Sequence, residues 1–124
     1  MPVERAAEHP TFEVGGNTFT SLAAPSRGAE EVAMFRADLP PGGGLPPHHH
    51  DHFDVFVLTM GEGVVHIDED SFALTPGDSV VVPVGAVHYV EAGAAGVSML
   101  VTMVAGTKLF REDDGSVVVP PWVG

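Results

Sequence analysis

His48-His49-His50-Asp51-His52-Phe53-Asp54-Val55-Phe56-Val57-Leu58-Thr59-Met60-Gly61 sets four histidines in five residues at the head of an apolar run. A further imidazole, His88, follows Pro83-Val84-Gly85-Ala86-Val87 downstream. Neutral imidazole is the commonest protein ligand for transition metals. Side chains two apart on an extended segment share a face, so His48 and His50 aim at one point. Asp54 shares their parity where the extended run continues, and Phe56 and Leu58 then face inward beside it. The stretch reads as a metal site built on a strand.

Outward from it, short β-prone runs alternate with turn residues. Thr11 to Val14 and Thr18 to Leu22 flank Gly15-Gly16-Asn17, a hairpin signal. Ala24 to Glu31 reads as a loop and Val32 to Leu39 as a strand. Pro40-Pro41-Gly42-Gly43-Gly44-Leu45-Pro46-Pro47 is irregular and fixes the approach to the histidines. Strands are expected near 53–60, 63–68, 71–75, 78–82, 87–92 and 97–105, with a weaker hairpin around Asp113-Asp114-Gly115. No sustained 3.6-residue apolar period argues for helices. The even spacing predicts an all-β fold, an antiparallel barrel or double-sheet jelly roll.

At 124 residues, one domain spanning 1–124 is expected, its core barrel at about 32–105 with flanking terminal strands. With 17 acidic and 5 basic residues the formal charge is -12, which repels nucleic acid and anionic membrane. The absence of cysteine excludes disulfide and thiolate chemistry. The opening residues carry no basic-then-apolar signal pattern. The apolar stretch Val97 to Ala105 is far shorter than the roughly 20 residues of a membrane helix. A cytoplasmic protein is therefore expected.

The chain resembles a small single-domain cupin. The first motif of that family, G-x5-H-x-H-x3-4-E-x6-G, maps onto Gly42, His48, His50, Asp54 and Gly61. The second, G-x5-P-x-G-x2-H-x3-N, maps onto Gly77, Pro83, Gly85 and His88. Between them, Glu62 to Pro76 resembles the short inter-motif loop of a compact microbial cupin. The resemblance implies a cupin-type barrel with one divalent metal (Fe, Zn, Mn or Ni) held by three histidines and a carboxylate, at His48, His50, His88 and Asp54. Two positions depart from the pattern. Asp54 stands where the motif has Glu and is one methylene shorter; Ala92 stands where it has Asn and removes a hydrogen-bonding side chain.

Other residues are weighed against this set. His49 points away from His48 and His50, while His52 shares their parity and is the substitute if Asp54 falls short. His66 alternates with Val65 and Ile67, so it faces outward. Tyr89 has the opposite parity to His88 and lies on the other sheet face. Arg36 competes with Phe35 for the inner face and is read as a surface residue. Asp78, in a Pro-Gly-Asp turn, is expected to accept local backbone N–H bonds.

One fold hosts many chemistries. The first expectation is a metal-dependent oxygenase of a small, largely apolar molecule that chelates through oxygen. A metal-dependent isomerase or cyclase and a non-catalytic ligand-binding or sensing module are the alternatives. No acid–base residue beyond the ligands stands out, which ranks oxygenation above proton transfer. The strand at Val97 to Ala105 is apolar on both faces and needs cover. The N-terminal hairpin or the segment Val117 to Trp122 would provide it, within the subunit or across a homodimer.

Overall fold

The computed structural model describes residues 2–124. Ten strands follow in order: β1 (Thr11–Val14), β2 (Asn17–Ala23), β3 (Val32–Leu39), β4 (His48–His50), β5 (Asp54–Ile67), β6 (Asp70–Leu74), β7 (Ser79–Val82), β8 (His88–Val104), β9 (Leu109–Arg111) and β10 (Val117–Val118). Every pairing is antiparallel, and the strands curl into a barrel. The expected all-β architecture is the one the chain adopts.

Two boundaries differ from the sequence reading. Residues 53–60 and 63–68 belong to one strand, β5, and 87–92 and 97–105 belong to another, β8. Gly61 and Gly96 both have positive φ, 81° and 72°, yet they do not turn the chain. They lie against each other, and a Cβ on Gly61 would run into the Gly96 carbonyl. The β5–β8 register shifts beside Gly61. These glycines form bulges that bend two long strands together.

β8 is the spine of the barrel. Residues 97–104 pair with β3 on one side, and β5 pairs along the other, so that Met103 opposes both Ala33 and Asp54. Further back, His88 opposes both Ile67 of β5 and His48 of β4. This crossing brings β4 and the start of β8 together, and both carry histidines.

The core follows the two-residue period of the strands. Ala33, Phe35, Ala37 and Leu39 of β3 are buried, as are Val97, Met99, Val101 and Met103 of β8. The opposite face of β8 is only half-buried, through Leu100, Thr102 and Val104. Trp122 enters the barrel from the C-terminal segment and stacks on Phe19, centroids 4.1 Å apart and planes 3° from parallel. Phe35 meets both rings edge-on at 6.1 Å. The terminal segment therefore covers the inner side of the barrel within the same chain. Among the described residues no helix is long and apolar enough to cross a membrane.

Candidate metal centre

His48 and His50 sit on β4 with the same inward parity, and His88 opens β8 directly opposite His48. All three are buried. One nitrogen from each lies within 4.8 Å of the others, and the ring centroids are 4.5–5.1 Å apart.

The hydrogen bonds decide which nitrogen is free. His48 Nδ1 meets the Pro46 carbonyl at 2.8 Å, His50 Nδ1 the Lys108 carbonyl at 3.0 Å, and His88 Nδ1 the Ala86 carbonyl at 2.9 Å. A carbonyl oxygen only accepts, so each Nδ1 carries the proton and donates. Each Nε2 is left with its lone pair. Backbone partners of this kind fix the tautomer and ring orientation of metal-binding histidines. Burial keeps the rings neutral: desolvation pushes His48 down to about 3, with His88 adding to it, and His50 down to about 4. His88 is lowered by burial as well. Three oriented neutral imidazoles are a donor set that suits a divalent transition ion.

Asp54 opens β5 and is 4% exposed, facing the cavity that His48 and His50 also line. It stands outside the group of three histidines. Its Oδ1 has no hydrogen-bond partner. Desolvation raises its pKa to about 7. The cavity holds about 80 Å³ and is otherwise walled by apolar groups, including Phe19, Phe35, Phe56, Met103, Leu109 and Trp122. Leu58 is fully buried but does not line the cavity, unlike Phe56.

Most of the remaining residues fall where the sequence put them, but His52 does not, because bends at Asp51 and His52 interrupt the extended run and its parity. His49 stacks on Phe110 at 4.7 Å and pairs with Glu112 on the outer side. His52 is exposed and bonds to Asp51, so it does not join the three histidines. His66 stacks on Tyr89 at 4.3 Å and bonds to Ser71 and Glu91 on the outer face. Arg36 is exposed and paired with Asp38. Asp78 accepts the Thr75 N–H at 2.8 Å, a local turn bond.

Several contributors were not read from the sequence. Pro46 and Ala86 each precede a histidine by two residues, and that repeated spacing was a usable signal. Lys108 is 58 residues from His50 and left none. Asn17, fully buried, clamps the glycine-rich loop by accepting the Gly44 N–H at 3.1 Å and donating to the Gly44 carbonyl at 3.3 Å. Ala92, which lacks the motif's side-chain amide, holds the same loop through its backbone: its N–H donates to the Gly43 carbonyl and its carbonyl accepts from Gly42.

Residues 35–104 match the family described as Cupin domain. A stretch of 66 residues is 36% identical to Cupincin of Oryza sativa subsp. indica, covering 50% of this chain. The match spans 14% of that relative's length. Among solved structures, the polyketide cyclase RemF from Streptomyces resistomycificus superposes with a TM-score of 0.76 at 17% identity, over 93% of this chain and 89% of that one. A salicylate 1,2-dioxygenase from Pseudoaminobacter salicylatoxidans, in complex with gentisate, has a TM-score of 0.67 at 19% identity. That likeness covers 75% of this chain and 26% of the dioxygenase. At such identities these two structures speak to the fold alone.

Proposed function

This chain belongs to the cupin domain family, and from that premise we propose that it is a divalent-metal protein, and in the first instance an oxygenase, acting on a small oxygen-chelating molecule. His48, His50 and His88 are the proposed protein ligands. The observation that carries the reading is the set of three backbone-locked Nδ1–H groups, which leaves the Nε2 lone pairs free on three histidines that each bring a ring nitrogen within 4.8 Å of the others. A bound divalent ion would supply Lewis-acid polarisation or, with a redox-active metal, dioxygen chemistry.

The chain's own contribution is binding, orientation and exclusion of water. Neutral imidazoles leave the ion's charge uncancelled, so an anionic enolate or catecholate is electrostatically favoured. Phe56, Met103 and Leu109 present apolar surface to it. The volume limits its size. An apolar cavity of about 150 Å³ holds benzene, and this one holds about 80 Å³. A ligand of a few heavy atoms fits within the cavity as the barrel stands. A dioxygenase and a polyketide cyclase share the fold, which keeps oxygen and carbonyl chemistry together in view.

One observation favours a second reading. The sequence offered no acid–base group beyond the ligands, but Asp54 is a buried carboxyl whose pKa is raised to about 7. Such a group exchanges protons near neutrality, as an isomerase or cyclase requires. Oxygen uptake by the iron and nickel forms, with small diketones, hydroxyketones and catechols, separates the readings. Product formed only in air supports the oxygenase. Equal turnover without oxygen rejects it for proton-transfer chemistry, and saturable binding without product identifies a binding module.

A further inference from the structure

Asp54 is unlike every other buried polar side chain among the described residues. Its Oδ1 alone is enclosed without a partner. The strand pairings put Val82 on one side of it and Met103 on the other, both buried and apolar. No lysine or arginine lines the cavity it faces. Enclosing an unpaired carboxyl costs free energy that the folded chain does not recover by itself.

Two internal explanations fail. A carboxylate beside metal-binding histidines commonly orients a ring, but all three Nδ1 atoms here are held by backbone carbonyls of Pro46, Lys108 and Ala86. Direct membership of the ligand group is also unsupported, because the cluster of mutually close donor atoms comprises the histidines alone. The side chain is one methylene shorter than the glutamate of the family motif. Asp54 itself lines the cavity, so what its carboxyl can meet, by a turn about its last side-chain bond, is whatever the cavity holds.

We infer that Asp54 is a specificity-determining residue that accepts a hydrogen bond from the organic ligand, and that this ligand is a small O,O-chelator bearing an O–H or N–H donor next to its chelating oxygens. The inference rests on the metal-binding reading above. A lone acceptor in an apolar chamber discriminates strongly, because a ligand without the donor leaves it unpaired a second time. The three histidines select for a chelator, the volume selects for a few heavy atoms, and Asp54 selects for the donor.

Acetohydroxamic acid and N-methylacetohydroxamic acid test this, since both chelate through two oxygens and only the first has an N–H. Each is titrated into the cobalt(II)-loaded full chain and followed by the cobalt absorption bands, with cobalt stoichiometry measured separately. The wild-type protein is expected to prefer the N–H form by about tenfold. Asp54→Ala is expected to lose that preference while still binding one cobalt. Asp54→Leu fills the space without offering an acceptor and is expected to lose it too, which separates a hydrogen bond from steric exclusion of the methyl group. Loss of cobalt from Asp54→Ala to the extent seen in His88→Ala places the carboxylate on the metal and overturns the inference. No preference in the wild type, or a preference that survives either variant, overturns it as well. If the wild-type chain binds no cobalt, the metal reading fails and this inference falls with it.

Discussion

Lys108 bridges His50 to Asp51: its carbonyl accepts the His50 Nδ1–H at 3.0 Å, and its N–H donates to Asp51 Oδ1 at 2.9 Å. The orientation of one imidazole thus depends on a carboxylate outside the group of three histidines. Asp51→Ala is expected to leave one metal per chain and to weaken its affinity about tenfold or more, the usual range for lost outer partners. Competition with a chromophoric chelator measures this. Unchanged affinity removes Asp51 from the support of the site.

Alanine at His48, His50 or His88 is expected to abolish high-affinity metal binding, while alanine at His49 or His66 leaves it nearly intact. The contrast tests face assignment rather than histidine content, since His49 lies between two of the proposed ligands. Equilibrium dialysis of the five variants side by side is sufficient. Equal loss from His66→Ala and His88→Ala contradicts the assignment.

The metal-free protein is expected to be most stable near pH 6.5. The histidine pKa values are lowered on folding, to about 3 and about 4 for His48 and His50, from 6.5. Their contribution is therefore present above 6.5 and is lost as pH falls through that value toward the folded ones. Asp54 is raised to about 7 from 3.8, so its contribution is full below 3.8 and is lost as pH climbs through about 7. Several histidines outweigh one aspartate on the acid side, and Asp54 alone governs the alkaline side. Asp54→Asn is expected to gain about 2 kcal/mol at pH 8 and to remove the alkaline decline. Urea unfolding from pH 4 to 9 decides it, and an Asp54→Asn curve parallel to wild type between about pH 5 and 7 contradicts it.

The outer face of the β3–β8–β5–β7 sheet is proposed to pair with a second copy of the chain. Met34, Thr102, Val55 and Val81 align as one row across the four strands. Val32, Met34 and Val81 are exposed at 45%, 37% and 64%. Light scattering at micromolar concentration is expected to give a dimer mass, and Met34→Lys with Val81→Lys to give a monomer. A monomeric wild-type chain rejects the pairing.

Legibility differed by the range of the interaction. The two-residue period identified β3 and the inward positions of His48, His50, Asp54 and Phe56, because strand parity is local, but it also put His52 on that face, and the bends at Asp51 and His52 leave it exposed. The same period placed His66 and Tyr89 correctly on the outer face. Gly61 and Gly96 misled, since a glycine between apolar runs has one signature whether it turns a strand or bends it. Only the partner strand distinguishes the two, and the partner is distant in sequence. Trp122 was seen as cover for β8 but not as a wall of the cavity. Its place depends on Phe19 and Phe35, which no spacing rule connects to it.

β8 meets β3 by pairing Val104 with Val32 and β4 by pairing His88 with His48, so the candidate metal centre is closed by contacts between parts of the chain far apart in sequence. Contacts of that kind form late and slowly during folding, because the intervening chain must first be ordered. An ion has no assembled site to grip in a half-folded chain, so it has little leverage on the rate at which the barrel forms. Its leverage is on escape: a bound ion ties β4 to β8 after closure and raises the barrier to opening. In this barrel a bound metal would act as a latch on the finished structure, its benefit measured in lifetime rather than in speed of folding.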